Sequence, residues 1–224
     1  MNHSILVYLF VSVLFSFEIC AQTKEQLPND TRWVRESMEY KSICEQTYKT
    51  AWTSLSKQRQ KLQDAVIVMD LDETVLDNSL YQVQLHEKAE SFNHRSWNEF
   101  VKLEISELVP GAKEFILKYK ANYKGMIVFI SDRDAATMKS TKNNLKRLGI
   151  LFEEDVFLLK KNKDDTKELR RYEVLEGKGR MKKIGPKSIA AYFGDQIGDF
   201  PKEDQRYRFS YNQFIFPNPM YGKW

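Results

Sequence analysis

Cysteine is nearly absent from this chain: 224 residues hold two, Cys20 and Cys44. If the segment carrying Cys20 is removed on export, Cys44 stands alone and an internal disulfide is excluded. The fold must then be held by its core, where Cys44, set in an apolar helical pattern, reads as a small buried hydrophobe. A strong charge of one sign is also lacking. Lys and Arg number 35 against 31 Asp and Glu, a net charge of +4. The basic residues are scattered and do not alternate with aromatics, which argues against a nucleic-acid polymer as partner. Internal repeats and low-complexity segments are missing, which leaves no reason to divide residues 22–224 into more than one domain.

Long hydrophobic runs are limited to residues 5–17, interrupted by Tyr8, Ser12 and Ser16. That stretch is too short and too early for a membrane span of about 20 residues. It fits the apolar part of a secretory signal, with residues 1–21 removed by cleavage after Ala21. The fit lacks a leading Lys or Arg, places Glu18 late, and has Ile19 where a small residue is expected. The alternative is membrane attachment through a lipidated Cys20, for which Phe17-Glu18-Ile19 is a poor approach.

What the chain does have is apolar strands that end in polar residues. Residues 66–69 are an unbroken Val/Ile/Met run that stops at Asp70, Asp72 and Thr74. Such a run suits a parallel sheet covered on both faces. Residues 126–130 form a second run, ending at Ser131-Asp132-Arg133. Residues 156–159 form a third, ending at Lys160 and Lys161, and residues 189–193 a fourth, ending at Gly194-Asp195 with Asp199 beyond. A last strand is expected at 214–216. Helical patterns cover residues 33–62, 96–103, 112–120, 135–148 and 164–175. Alternating strands and helices predict an α/β fold, a Rossmann-like parallel sheet with helices on both faces. Residues 78–109 interrupt it with a polar, aromatic-containing insert, expected as a mainly helical cap. Residues 177–187 make a basic loop.

In one parallel sheet the four polar ends share an edge, the edge where open α/β sheets bind ligands. Asp70 and Asp72, two apart, share a face if the strand geometry continues. Buried carboxylates need a compensating cation, and oxygen donors suit Mg²⁺. The set matches the needs of phosphoryl transfer. One carboxylate (Asp70) attacks as nucleophile and a second (Asp72) handles protons. Asp195 and Asp199 complete or orient a metal site, while Ser131 and a lysine hold phosphate oxygens.

Asp70-Leu71-Asp72-Glu73-Thr74, Ser131 at a strand end, a later lysine and Gly194-Asp195-x-x-x-Asp199 resemble the four motifs of haloacid dehalogenase-like phosphatases. The extension through Val75-Leu76-Asp77-Asn78, with Val109-Pro110-Gly111-Ala112, Lys146-Arg147-Leu148-Gly149 and the ending from Pro217 to Trp224, narrows the resemblance to class C acid phosphatases of the lipoprotein e type. That resemblance implies Mg²⁺-dependent hydrolysis of small phosphate esters, nucleoside 5′-monophosphates among them, by a protein exported to the periplasm or outer membrane. It implies Asp70 as nucleophile and Asp72 as acid/base. It further implies a metal at Asp70, Asp195, Asp199 and the Asp72 carbonyl, and phosphate contacts from Thr74, Ser131 and a lysine. Lys167, three before Arg170, fits the family spacing; Lys160, Lys161 and Lys163 are rivals. Phe92, Trp97, Arg133 and Tyr221 are candidates for substrate contact. Asp132, Gln196-Ile197-Gly198 and the loop at 177–187 depart from the family pattern. Two other outcomes are a phosphate-binding or storage protein on the same fold and a phosphotransferase to alcohol acceptors.

Overall fold

A computed structural model describes residues 26–58, 65–202 and 206–222. The leader expected at 1–21, with Cys20, and the closing pair 223–224 lie outside the described residues. So does 59–62, the end of the first helical pattern. Among the described residues no helix is long and apolar enough to cross a membrane.

In chain order the elements are α1 (Asn29–Glu36), α2 (Met38–Ser56), β1 (Ala65–Met69), β2 (Leu76–Asp77), α3 (Ser79–Glu87), α4 (His94–Lys102), β3 (Glu107–Leu108) and α5 (Ala112–Tyr123). There follow β4 (Ile127–Asp134), α6 (Met138–Leu148), β5 (Val156–Lys160), α7 (Lys167–Glu176), β6 (Ser188–Gly194) and β7 (Gln213–Ile215). The main sheet runs β5-β4-β1-β6-β7 with every pairing parallel, as expected from the buried Val/Ile runs. β2 and β3 form a separate antiparallel pair, too short to carry a sequence signal, that ties together the two ends of the insert.

Strand alternation sorts the core into two layers. Ile67, Met69, Ile127, Phe129, Ala191 and Phe193 face α2, α5 and α6. Val66, Val68, Val128, Ile130 and Tyr192 face α7, which contributes Val174, with Met181 and Phe200 beside it. The helical cover is therefore lopsided: three helices on one face and one on the other. Asp70 continues the register of Val66 and Val68, so it belongs to the α7 face. The insert has its own small core of Tyr81, Leu85 and Phe100.

Several boundaries differ from those the periodicity predicts. The helix expected from residue 33 onward breaks at Ser37, which is extended (ψ 141°) and caps α2 by accepting the Tyr40 amide. Buried Cys44 matches expectation, but Met38 and Ile43 of the same stripe are exposed. α7 starts at Lys167, later than the expected 164, because Thr166 caps it and the Asn162 side chain turns the chain at Asp164 and Asp165. β4 runs on to Asp134, past Ser131.

The basic loop is partly tied down. Arg180 donates to both oxygens of Asp165 and to Glu173, and it holds the Leu159 carbonyl at 2.8 Å. Burial alone would raise both carboxylates, yet the hydrogen bonds and charge of Arg180 hold Asp165 and Glu173 below their ordinary values of 3.8 and 4.5. Lowered carboxylates stabilise the fold above the unfolded-state values and cease to as they protonate. We expect full stabilisation above about pH 4.5 and its loss below 3.8, measured as the melting temperature against pH, with the acid-side fall reduced in Arg180→Gln.

The α2 helix reaches the first polar strand end directly: Tyr48 donates its hydroxyl to the Thr74 carbonyl at 2.6 Å, fully buried. Tyr48→Phe leaves that carbonyl unpaired and should cost about 1–3 kcal/mol in urea denaturation.

Candidate active site

The strand ends meet as the topology requires. The Asp70 amide still belongs to the sheet, donating to the Phe193 carbonyl at 2.9 Å, while its side chain has left the apolar layer. Lys167, the first residue of α7, projects between two carboxylates. Its Nζ donates to Asp70 Oδ1 at 2.8 Å and, more closely still, to Asp199 Oδ1. The ligand oxygens of Asp70, Asp195 and Asp199 all lie within 4.8 Å of one another.

Burial is the first force acting on these groups. It pushes Asp70 well above the usual carboxylate range, with Lys167 opposing and the charges of Asp199, Asp195 and Asp72 reinforcing. Asp195 is pushed up to about 6 by burial and then by Asp199, against hydrogen bonds from Asn218 and Gln196. Lys167 moves up despite its burial, because two carboxylates hold its proton. One lysine thus faces three carboxylates. The surplus negative charge and the all-oxygen donor set fit a hard divalent cation. The oxygens are not equally open. Asp199 spends Oδ1 on Lys167 and Oδ2 on the Gln196 amide at 2.9 Å, whereas Asp70 Oδ2 and Asp195 Oδ1 carry no hydrogen bond among the described residues. Asp199 thus has a partner at each oxygen, while Asp70 and Asp195 each keep one oxygen open.

Gly194 makes this approach feasible. A Cβ there would lie 2.3 Å from Asp199 Cβ and 2.4 Å from its Oδ2. The glycine of the Gly-Asp-x-x-x-Asp pattern is required for space and not for backbone twist. Backbone strain sits instead at Glu73, whose φ of 53° turns the chain sharply after Asp72. Its buried carboxylate accepts the Asn78 amide at 2.9 Å.

The remaining candidates divide. Ser131 is buried and lies beside Asp72, its Oγ 3.3 Å from Oδ2. The Thr74 hydroxyl is buried with no partner among the described residues. Of the competing lysines, Lys160 pairs at 4.0 Å with Asp132, and Lys161 and Lys163 are exposed. Of the four, Lys167 alone reaches the carboxylate cluster. Arg133, expected at the substrate, is 1% exposed and committed elsewhere: to Asp72, Asn78 and Thr141, with its guanidinium over Trp97. Trp97 packs between Tyr81 and Phe100. Phe92 and Tyr221 keep exposed rings, 55% and 37%. The Tyr221 carbonyl accepts from Gln196 Nε2, which bonds Asp195 as well.

Three contributors are not predicted by the sequence patterns. Arg170 is fully buried and donates to the Ser131 and Leu158 carbonyls and to Asp132, so the α7 turn that carries Lys167 also fixes the end of β4. Its spacing from Lys167 is visible in the sequence, its task is not. Asn218 donates to Asp195 Oδ2 at 2.8 Å from far along the chain. Asn78 bonds Asp72 at 2.9 Å; it closes the motif that begins at Asp70, but its contact is not visible in the sequence.

With the geometry described, the relatives can be compared. The family model described as HAD superfamily, subfamily IIIB (acid phosphatase), matches residues 10–224. The chain is similar to the class C acid phosphatase from Bacillus anthracis in two solved structures. The tungstate-bound one has 28% sequence identity and a TM-score of 0.71, with 86% of this chain and 84% of the other covered. The second has 27% identity with the same coverage and TM-score.

Gly194→Ala tests the spatial argument. The methyl group should displace Asp199, cost about 1–3 kcal/mol as overpacking and remove the Lys167 bridge; urea denaturation and turnover check both, and unchanged values in both would refute it.

Proposed function

The chain belongs to the HAD superfamily, subfamily IIIB acid phosphatases, and from that membership we propose a Mg²⁺-dependent hydrolase of phosphate monoesters, nucleoside 5′-monophosphates among them, working through an aspartyl phosphate on Asp70. The membership itself makes the protein a phosphatase, with small phosphate esters as substrates. The observation that carries the finer reading is the bridge from Asp70 through Lys167 to Asp199, with Asp195 beside it.

In this reading an oxygen of Asp70 bonds to phosphorus opposite the ester oxygen. The phosphorus–ester bond breaks, its electron pair leaves on that oxygen, and Asp72 supplies the proton. Water then attacks the acyl phosphate, giving a proton to Asp72 as its oxygen bonds to phosphorus. The bond to Asp70 breaks, and carboxylate and inorganic phosphate are restored. Lys167, Ser131 and Thr74 take phosphate oxygens, and the buried Thr74 hydroxyl, which has no partner among the described residues, supports its assignment. Mg²⁺, when bound, offsets the charge of carboxylates and phosphate; Asp70, Asp195, Asp199 and the Asp72 carbonyl would hold it. Tungstate, bound in the Bacillus anthracis relative, is a tetrahedral oxyanion like phosphate. Phe92 and Tyr221 supply the exposed rings for a base, where stacking contributes about 1–3 kcal/mol. Export through the leader at 1–21 would place the enzyme in the periplasm or at the outer membrane.

The decisive measurement is phosphate release from nucleoside monophosphates and simple esters, with Mg²⁺ and with chelator. Wild type should need the metal, and Asp70→Asn should lose at least about 10³-fold in turnover with its melting temperature kept. No release from any ester by folded, Mg²⁺-loaded wild type would favour a phosphate-binding protein.

A further inference from the structure

We propose that Arg133 is a positioning residue for Asp72, fixing the orientation of its carboxylate so that one oxygen is tied up and the other stays open to the reacting ester; the inference rests on the phosphatase reading above. The surroundings treat the two oxygens unequally. Oδ1 accepts two hydrogen bonds, from Nε of Arg133 at 2.8 Å and from Nδ2 of Asn78 at 2.9 Å, and a terminal nitrogen of Arg133 forms an ion pair with it at 2.8 Å. Oδ2 takes one, the Ser131 hydroxyl at 3.3 Å. A carboxylate oxygen has about two lone-pair sites, so Oδ1 is fully used and Oδ2 has room for one more partner. Turning the carboxylate plane out of this setting would break both hydrogen bonds to the tied oxygen.

Arg133 is itself held from several sides. It donates to Asn78 Oδ1 at 3.1 Å and to Thr141 Oγ1 at 3.4 Å, and it lies 5.7 Å from the Trp97 ring centre. Asn78 Oδ1 also takes the Ser106 hydroxyl at 2.7 Å. Ser106 is bonded through its amide and its carbonyl to the Asn144 side chain of α6. The clamp thus spans β4, α6 and both ends of the insert. Burial strengthens each of its bonds. Among the described residues, none of these groups bonds to Asp70, Lys167 or Asp199. Arg133 therefore acts through Asp72. Oδ2 is the oxygen that gives the proton to the departing ester oxygen as the phosphorus–oxygen bond breaks, and that later accepts one from water.

A group that positions the proton donor matters only when the leaving oxygen needs a proton. Nitrophenolate departs without help, whereas the alkoxide of a nucleoside or glycerol phosphate does not. The readout is kcat/KM, which reports the phosphoryl-transfer step, measured with Mg²⁺ present. In Arg133→Gln the loss on glycerol phosphate and a nucleoside monophosphate should exceed the loss on p-nitrophenyl phosphate by at least about tenfold, inside the roughly 10²–10⁴-fold that general-acid catalysis supplies. Arg133→Lys, which keeps a charge but has a single nitrogen, should recover part of the difference. If Arg133→Gln does not fold, judged by melting temperature, Arg133→Lys against wild type carries the comparison. In an Asp72→Asn background the Arg133 substitution should add no leaving-group-dependent loss, since the two act as one unit. Equal losses on both ester classes, or additive losses with Asp72→Asn, overturn the inference and leave the phosphatase standing. A wild type inactive on every ester overturns the phosphatase reading, and this inference with it.

Discussion

Three carboxylates gathered around one lysine amine are the constraint on which the rest of the structure depends. Taking carboxylates out of water is unfavourable by several kcal/mol each, and their mutual repulsion adds to that. Lys167 offsets part of the cost by bonding Asp70 and Asp199 together. Among the described residues Asp195 has only the amide hydrogens of Asn218 and Gln196. Among the described residues the site is therefore short of positive charge, and burial raises the proton affinity of Asp70 and Asp195. A site built this way fits a hard divalent cation, whose charge would offset that of the carboxylates.

Holding such a cluster requires neighbours that do not yield, and two buried arginines supply them. Arg170 ties α7 to the end of β4 through backbone carbonyls, so Lys167 and Ser131 keep their spacing. Arg133 ties Asp72 to Asn78 and α6. Buried ion pairs contribute little net stability against apolar packing of the same volume, but removing one partner is costly. Their value here is geometric: each arginine presents several donors in a fixed plane, which a lysine cannot. Gly194 does the complementary task by leaving room, since any side chain there would occupy the place of Asp199.

Much of this arrangement is legible in the amino-acid order. The buried Val/Ile/Met run ahead of Asp70 has one comfortable setting, a central parallel strand, and β1 is central between β4 and β6. The four polar strand ends fall on one edge because parallel strands share a direction. Spacing favours Lys167 over its rivals, and of the four it alone reaches the carboxylates. Other features are illegible for physical reasons. Ser37 interrupts a helix whose periodicity continues across it, because its cap to Tyr40 is a local bond that apolar spacing does not register. Arg133 resembles a substrate contact, since a basic residue at a strand end suits an anion. Its burial depends on Asn78, Thr141 and Trp97, which arrive from other parts of the chain. Asn218 lies 23 residues from Asp195, beyond any local pattern.

The same division says which parts of the molecule can change independently. Asp70, Lys167, Asp195 and Asp199 are set by sheet register and by α7, with Gly194 admitting no variation. The exposed rings of Phe92 and Tyr221 sit on the insert and on the chain beyond β7, outside that frame. Neither ring makes a hydrogen bond or ring contact to the carboxylate cluster among the described residues, so these two positions can change without disturbing it. Trp97 is the exception. It belongs to the insert's aromatic core and also lies against Arg133. Through that one contact the packing of the insert bears on the Asp72 carboxylate, so the insert is mechanically joined to the end of β1.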